Sequence, residues 1–514
     1  MIQIKIVGMN LHHIYRKAYD NENVSMFEAI ELHKKIKKKD YEQQVQTLRT
    51  ELLGAQYALK DTNASVMIII SGVEGAGKSE VVNRLNEWLD SRWIRSYAFW
   101  DESDEERLRP HQWRFWRTMP PRGSMSIMFG SWYTQPIIRH VFGQWDDAGL
   151  DASMSRIEQL ERMLIDDGNI IIKLWYHLSK DAQKKNIKKK EKYQINKKAK
   201  DFSKLYDAFA VTSARAIRLT DTGDAPWHLI DAEDERYRDL KTGKIILQTL
   251  QDYLKESRND QDKPRREAKL DAPLSGKTVF DRVDVDQQIS KEDYQKKLKK
   301  YQQRLYRLAW KAHNAKRSLV AVFEGWDAAG KGGAIRRVTS ALDARLYSVI
   351  SVAAPTDEER ARQYLWRFWR HLPRDGYFTL YDRSWYGRVL VERVEGFASM
   401  DEWMRAYQEI NDFEEHLYRH GTILEKFWVH ISRDEQLRRF KERETIPWKQ
   451  HKITDEDWRN REKWHQYELA VTDMVMHTST NYAPWTLVPG NDKKVSRIAI
   501  LKRLCDSLEK ALES

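Results

Sequence analysis

A single cysteine, Cys505, stands in the 514-residue chain, so neither an intrachain disulfide nor a cysteine-based metal centre can form, and a reducing compartment suits it. Long apolar runs are missing too. None approaches the roughly 20 residues of a membrane-spanning helix, and the first residues, MIQIKIVGMNLHHIYRK, contain no apolar core of the kind a secretory signal carries. These absences lead us to expect a soluble cytoplasmic protein with no membrane partner. Acidic residues are outnumbered, 77 against 89 basic, for a net charge of +12. That balance points to a polyanion: nucleic acid, an anionic surface, nucleotides or a phosphate polymer. Disorder is excluded, because 41% of the residues are hydrophobic and 20 are tryptophan. The length allows two or more domains, each with its own core.

One more absence lies inside the most informative stretch, SLVAVFEGWDAAGKGG, from Ser318 to Gly333. An apolar, β-branched run, Leu319 to Phe323, precedes Gly325, Gly330 and Lys331 in the spacing of a phosphate-binding loop, and AIRRVTSALDARL continues as a helix. Strand, glycine loop and helix in that order let backbone N–H groups close on phosphate oxygens, with Lys331 adding a full charge. The backbone of Gly325, Ala329, Gly330 and Gly332 would form the cradle. The Ser or Thr that usually follows the lysine and reaches a metal is lacking, and Gly332 takes its place. Asp327, inside the loop, is the nearest carboxylate and our first candidate metal ligand.

The loop occurs twice. SGVEGAGKSE carries Gly72, Gly77, Lys78 and Ser79, and Lys78 to Lys331 is 331 − 78 = 253 positions. At the same offset of 253, SDEER (Ser103 to Arg107) matches TDEER (Thr356 to Arg360), WRFWR at Trp113 recurs at Trp366, Ser131-Trp132-Tyr133 matches Ser384-Trp385-Tyr386, and Lys173 matches Lys426. The chain is a tandem repeat. We place the first repeat at 1–254, a polar linker at 255–277, and the second repeat at 278–514. A helical stripe, Tyr294, Leu298, Tyr301, Leu305 and Leu308, has its counterpart at Tyr41, Val45, Leu48, Leu52 and Ala55, and reads as core or interface. In the second repeat the runs LVAVF, YSVISVA, GYFTLYD, GTILEKFWVHIS and PWTLVP predict strands separated by helices. The expected class is α/β: two tandem P-loop kinase-like three-layer domains, each a parallel sheet covered on both faces, with ligands at the carboxyl ends of the strands.

Asp382 closes the run GYFTLYD and can hold Mg²⁺ directly or through water, as the second acid of such sites does. Arg383 beside it can grip a phosphate bidentately. From Gly387 to about Trp464 we read a long helical region whose cations include Arg388, Arg393, Arg433, Arg438, Arg439, Lys441, Arg443 and Lys449. It is either a lid closing on phosphates or a solvated helix face. In WRFWR, Arg367 and Arg370 invite a phosphate role while the aromatics suit a core or a stacked base.

GWDAAGKGG at Gly325 and DRSWYGRVLVERVEGF at Asp382, followed by ISRDEQLRRFKERE, APW and NDKK, resemble the signature of the second family of polyphosphate kinases. The resemblance covers nearly all of the second repeat. It implies a thymidylate-kinase-like fold with a helical lid, and transfer of the terminal phosphoryl of inorganic polyphosphate to a nucleotide with Mg²⁺. The tandem-domain members it resembles most are polyphosphate:AMP phosphotransferases. Carried onto this sequence, the resemblance implies that Asp327 positions metal and the attacking phosphate, Lys331 binds the transferring group, and Asp382 shares the Mg²⁺. Arg383, Arg393 and Arg443 would offset transition-state charge. Polyphosphate and AMP or ADP would be the partners, with no nucleic acid, and a homo-oligomer is possible. Alternatives are a polyphosphate-dependent NDP kinase, an ATP-dependent nucleoside monophosphate kinase, and a non-catalytic polyanion-binding protein. In the first repeat the offset of 253 turns Asp382 into Phe129, Arg383 into Gly130, Asp327 into Glu74 and Arg388 into Gln135. Its lid segment, SKDAQKKNIKKKEKYQINKKAK, is lysine-rich and five residues shorter. We expect it to keep the fold and to lack catalysis.

Overall fold

The computed structural model describes residues 25–31, 33–191, 204–260, 278–447, 453 and 455–513. Two compact units divide the chain. One comprises the described residues of 1–101, 118–263 and 361–363, the other those of 102–117, 264–360 and 364–514. The polar stretch 255–277 splits: 255–260 ends a helix that runs Glu235–Asp260, and 261–277 lie outside the described residues, as do 192–200 of the first lid segment and Lys449.

In the first unit β1 (Ser65–Gly72), β2 (Ile94–Ala98), β3 (Met125–Phe129), β4 (Asn169–His177) and β5 (Trp227–Asp231) form one parallel sheet in the order β2-β3-β1-β4-β5. Its helices include α1 (Lys38–Leu59), α2 (Lys78–Trp88), α3 (Asp147–Asp166), α4 (Tyr206–Thr220) and α5 (Glu235–Asp260). The second unit repeats the plan with β6 (Leu319–Gly325), β7 (Tyr347–Ser351), β8 (Phe378–Asp382), β9 (Ile423–His430) and β10 (Trp485–Pro489), ordered β10-β9-β6-β8-β7 and again all parallel. All five strands expected from the apolar runs are present. The helices are α6 (Lys291–Asn314), α7 (Lys331–Thr339), α8 (Met400–Arg419), α9 (Arg433–Thr445), α10 (Asp455–Glu462), α11 (Trp464–Thr478) and α12 (Lys493–Glu513). The stretch from Gly387 to Trp464 is therefore not one helical region: β9 interrupts it, and only α9 and α10 follow that strand toward the site.

Central β6 is buried from Leu319 to Phe323 because helices cover both faces, which is why it reads as an unbroken apolar run, whereas edge strand β7 exposes Ser348 and Val349. Alternate residues of β9 show the three layers. Glu425 accepts from Arg503 and Ser507 of α12, while its neighbour Lys426 points the other way, donating to Glu414 of α8 at 2.7 Å and to the Thr478 carbonyl of α11 at 2.7 Å. The predicted stripe on α6 is inward-facing, with Leu305 and Leu308 buried.

Each unit has the same buried ion pair. Lys173 donates to Glu161 (2.8 Å) and to the Thr220 carbonyl (2.6 Å), as Lys426 does to Glu414 and Thr478, and Tyr133 and Tyr386 donate to the same carboxylates at 2.7 Å. Such pairs persist only when every lone pair and proton is satisfied. Their retention in both units marks them as parts of the fold rather than of a site.

Candidate active site

β6 delivers the loop to the carboxyl edge of its sheet. Gly325 adopts φ +148°, and a Cβ there would stand 2.5 Å from the Val429 carbonyl oxygen, so glycine is required where β6 meets β9. The loop turns through Ala328 at φ +61°, its Ala329 N–H donates to the Trp326 carbonyl (3.0 Å), and Gly330 at φ +110° caps α7. Lys331 begins that helix and folds back over the loop, donating to the Gly325 carbonyl at 2.5 Å.

Three of the residues read as catalytic meet in one cleft: Asp327, Lys331 and Arg383, with Glu324, Trp326 and Tyr467 among its other walls. One Asp327 oxygen accepts from Arg383 at 3.3 Å and the other from the amide of Asn460 at 2.9 Å, while its carbonyl accepts from Gln436 at 3.2 Å. Arg383 also faces Glu456, 4.0 Å away. Asp382 ends β8 opposite Phe323. A Cβ built on Gly332 would lie 3.8 Å from its Oδ2, so the position that usually carries a metal-binding hydroxyl opens onto the Asp382 carboxylate. Among the described residues no cluster of three or more His, Cys, Asp or Glu could enclose a metal. Two acids beside a phosphate loop fit Mg²⁺ instead, which takes one or two carboxylates and fills its remaining positions with water and phosphate oxygens.

The other arginines stand elsewhere. Arg443 is in the last turn of α9. Arg393 is buried against Asp473 (2.8 Å) and the Tyr407 hydroxyl (2.7 Å), Arg388 pairs with Glu392 (3.2 Å), and Arg367 pairs with Glu359 (3.3 Å). Arg439 is buried and donates to the carbonyls of Ala328, Ala329, Gly490 and Asn491 at 2.7–2.9 Å, which fastens α9 to the loop.

Sequence reasoning passed over Glu324, Trp326, Gln436 and Asn460. Glu324 did leave a signal, as a charged residue in an otherwise apolar central strand. Trp326 stacks on Trp464 with ring centres 3.7 Å apart, and its indole N–H donates to His430 Nδ1 at 3.0 Å. Burial pushes the His430 pKa down to about 4, so the imidazole is neutral in the fold and accepts that bond. A histidine depressed in this way contributes stability above its ordinary pKa that is lost as pH falls toward the folded value. His430→Gln keeps an acceptor without titrating. Wild type is therefore expected to lose about 3 kcal/mol relative to this variant between pH 7 and pH 4 in denaturant unfolding. Parallel curves would show that His430 is not the titrating group.

The sequence profile of polyphosphate kinase 2 matches residues 35–258 and again 288–514. The chain belongs to the polyphosphate kinase 2 family. A curated polyphosphate:AMP phosphotransferase from Pseudomonas aeruginosa is 48% identical over 492 residues, spanning 95% of this chain and 99% of its own. A GDP-polyphosphate phosphotransferase from Mycobacterium tuberculosis is 39% identical over 224 residues, 43% of this chain and 76% of its own. A crystal structure of a polyphosphate kinase 2 from Pseudomonas aeruginosa superposes with a TM-score of 0.85 at 47% identity, covering 95% of this chain and 99% of that one. The parallel sheets and P-loops are thus those of this kinase family. Among the described residues no helix is long and apolar enough to cross a membrane.

Proposed function

We propose that this polyphosphate kinase 2 transfers the terminal phosphoryl group of inorganic polyphosphate to AMP, giving ADP, at the cleft of the second unit. The observation that carries the reading is the meeting of Asp327, Lys331 and Arg383 around a P-loop that faces Asp382. The choice of AMP rests on the full-length likeness to two-repeat relatives named polyphosphate:AMP phosphotransferases, whereas the NDP- and GDP-directed relatives match only one repeat's length. The lone cysteine fits a reducing, cytoplasmic setting.

In this reading an AMP phosphate oxygen forms a bond to the terminal phosphorus and the bridging P–O bond of the polymer breaks, leaving the shortened chain as an oxyanion. The attacking oxygen is already anionic, so no general base is needed, and alignment plus charge neutralisation carry the rate. Lys331 turns from its loop carbonyls to the transferring phosphate, and loop N–H groups between Gly325 and Gly332 hold the oxygens, apart from that of Ala329, which the Trp326 carbonyl engages. Arg383 spans the junction of donor and acceptor, and Arg443 approaches from α9. Asp327 and Asp382 would hold Mg²⁺, whose chemistry is to screen the negative charge between two phosphates. Arg367, Arg388 and Arg393 join only by exchanging their carboxylate partners.

The first unit keeps the loop, Lys78 donating to the Gly72 and Val73 carbonyls at 2.8 Å, but Phe129 occupies the register position that Asp382 holds in the second. We propose that it is not catalytic. Lys78→Ala is then expected to leave at least about half the turnover, since the side chain it removes touches no reacting atom. The deciding assay is ADP formation from AMP, Mg²⁺ and long-chain polyphosphate, with ATP replacing polyphosphate in parallel. Turnover with ATP alone would move the protein to the ordinary nucleotide kinases.

A further inference from the structure

Glu324 is the one charged residue of β6, and it is buried. Among the described residues no cation stands within ion-pair distance of it. Among those residues the one hydrogen bond its carboxylate accepts comes from the Ser384 hydroxyl, at 2.8 Å to Oε1. Burial raises its carboxyl pKa against the pull of Lys331, Ser384 and Arg383. A carboxylate in such a place destabilises a fold unless something requires it.

The chain contains its own control. At the offset of 253, Glu324 becomes Ser71 and Ser384 remains Ser131, in the same strand and turn of the first unit's sheet. The fold therefore does not need the acid. Arg383, between Asp382 and Ser384, has φ +63°, a left-handed conformation that an arginine adopts at a cost. Its counterpart, Gly130, takes φ +78°, which a glycine does freely. Where the turn is strained the strand offers Glu324, and where it is relaxed the strand offers serine. The Arg383 N–H also donates to the Phe323 carbonyl at 3.1 Å, so the turn is fastened to β6 through that carbonyl and through the Glu324 side chain.

We propose that Glu324 is a positioning residue for phosphoryl transfer: by accepting from Ser384 it holds the left-handed Asp382–Arg383–Ser384 turn against the P-loop strand, aiming Arg383 and Asp382 at the phosphates. This rests on the phosphotransferase reading above. Glu324 touches no reacting atom in it. The anchoring bond fixes a turn whose side chains act in the transition state, so its loss appears in kcat before KM.

The test uses the full chain, with ADP formation at saturating Mg²⁺. Glu324→Ser, the first unit's own solution, is expected to fold with an unchanged or higher melting temperature and to lose about 100-fold in kcat, with KM for AMP within about threefold. Glu324→Gln keeps the acceptor oxygen and stays within about fivefold of wild type, since a hydrogen bond is retained while only the charge is lost. Ser384→Ala falls with Glu324→Ser, and the double variant is no worse than either single, because both remove one bond. A crystal structure of Glu324→Ser shows Arg383 leaving positive φ. The proposal is overturned by Gln as harmful as Ser, by additive single effects, by full kcat in Glu324→Ser, or by a fall in melting temperature that tracks the lost activity. Wild type inactive with polyphosphate would refute the phosphotransferase reading instead, and the Arg383 backbone in the variant crystal would still decide this one.

Discussion

Asparagine in place of Asp382 is expected to lower polyphosphate-driven ADP formation by about 10³-fold while leaving the melting temperature unchanged or raised. The side chain keeps its shape, so packing at the end of β8 is preserved. Its negative charge acts at two neighbours, helping to hold Arg383 protonated and opposing ionisation of Glu324. Removing that charge relieves Glu324, which is why stability does not fall, but it takes one of two acids from the proposed metal position and turns an amide N–H₂ toward cations. Steady-state kinetics over a Mg²⁺ series separates the causes: a weakened metal site shifts the Mg²⁺ midpoint upward, while lost transition-state charge complementarity lowers kcat at saturation. Turnover within tenfold of wild type would remove Asp382 from the mechanism. Lys78→Ala is the companion control, since the same loop position in the first unit is proposed to be idle.

How much of this was legible in the sequence follows from how local each feature is. The strands were read correctly because a doubly covered parallel strand is apolar along its whole length, and the P-loop because its glycines and lysine sit within seven consecutive positions, Gly325 to Lys331. The duplication made the fold legible twice. Contacts across the chain were not legible: Asn460 reaches Asp327 from 133 positions away, and Trp326 meets Trp464 across a similar span. Residue type alone also grouped all arginines together. Arg393 and Arg439 look alike in sequence, yet one is tied to Asp473 of α11 and the other to four backbone carbonyls, two in the phosphate loop and two just after β10. Backbone strain was invisible as well, because nothing in DRSWYG announces that its arginine is left-handed. The two units supply what one sequence seldom does, a comparison at fixed fold: the Lys426–Glu414–Tyr386 network is kept as Lys173–Glu161–Tyr133, while Asp382, Arg383, Glu324 and Trp326 all change.

Arg439→Ala is expected to destabilise the second unit by about 3–5 kcal/mol, the largest stability effect of any single substitution proposed for α9. The side chain is 2% exposed, its Nη1 donates to the loop carbonyls of Ala328 and Ala329 and its Nη2 to those of Gly490 and Asn491 after β10, with Glu435 accepting from Nε at 2.6 Å. Alanine would leave those carbonyls without their donor in a buried place, each at about 1–3 kcal/mol before relaxation and water entry. Arg439→Lys restores the charge but not the planar fork, so it recovers only part of the loss. The first unit shows why the clamp is there. At the offset of 253 Arg439 becomes Asn186, which gives a single 3.2 Å bond to the Gly75 carbonyl, and Gly75 takes φ +83° without strain. In the second unit that residue is Ala328 at φ +61°. A left-handed alanine needs its carbonyl held, just as left-handed Arg383 needs its turn held. Denaturant unfolding of Arg439→Ala and of Arg439→Ala with Ala328→Gly tests the link. Glycine at 328 should add about 1 kcal/mol in the otherwise wild-type chain, where the clamp keeps the residue left-handed, and less in the Arg439→Ala background, where alanine is free to leave that conformation. An Arg439→Ala chain as stable as wild type, or a glycine effect equal in both backgrounds, would show that α9 and the phosphate loop are not coupled through this side chain.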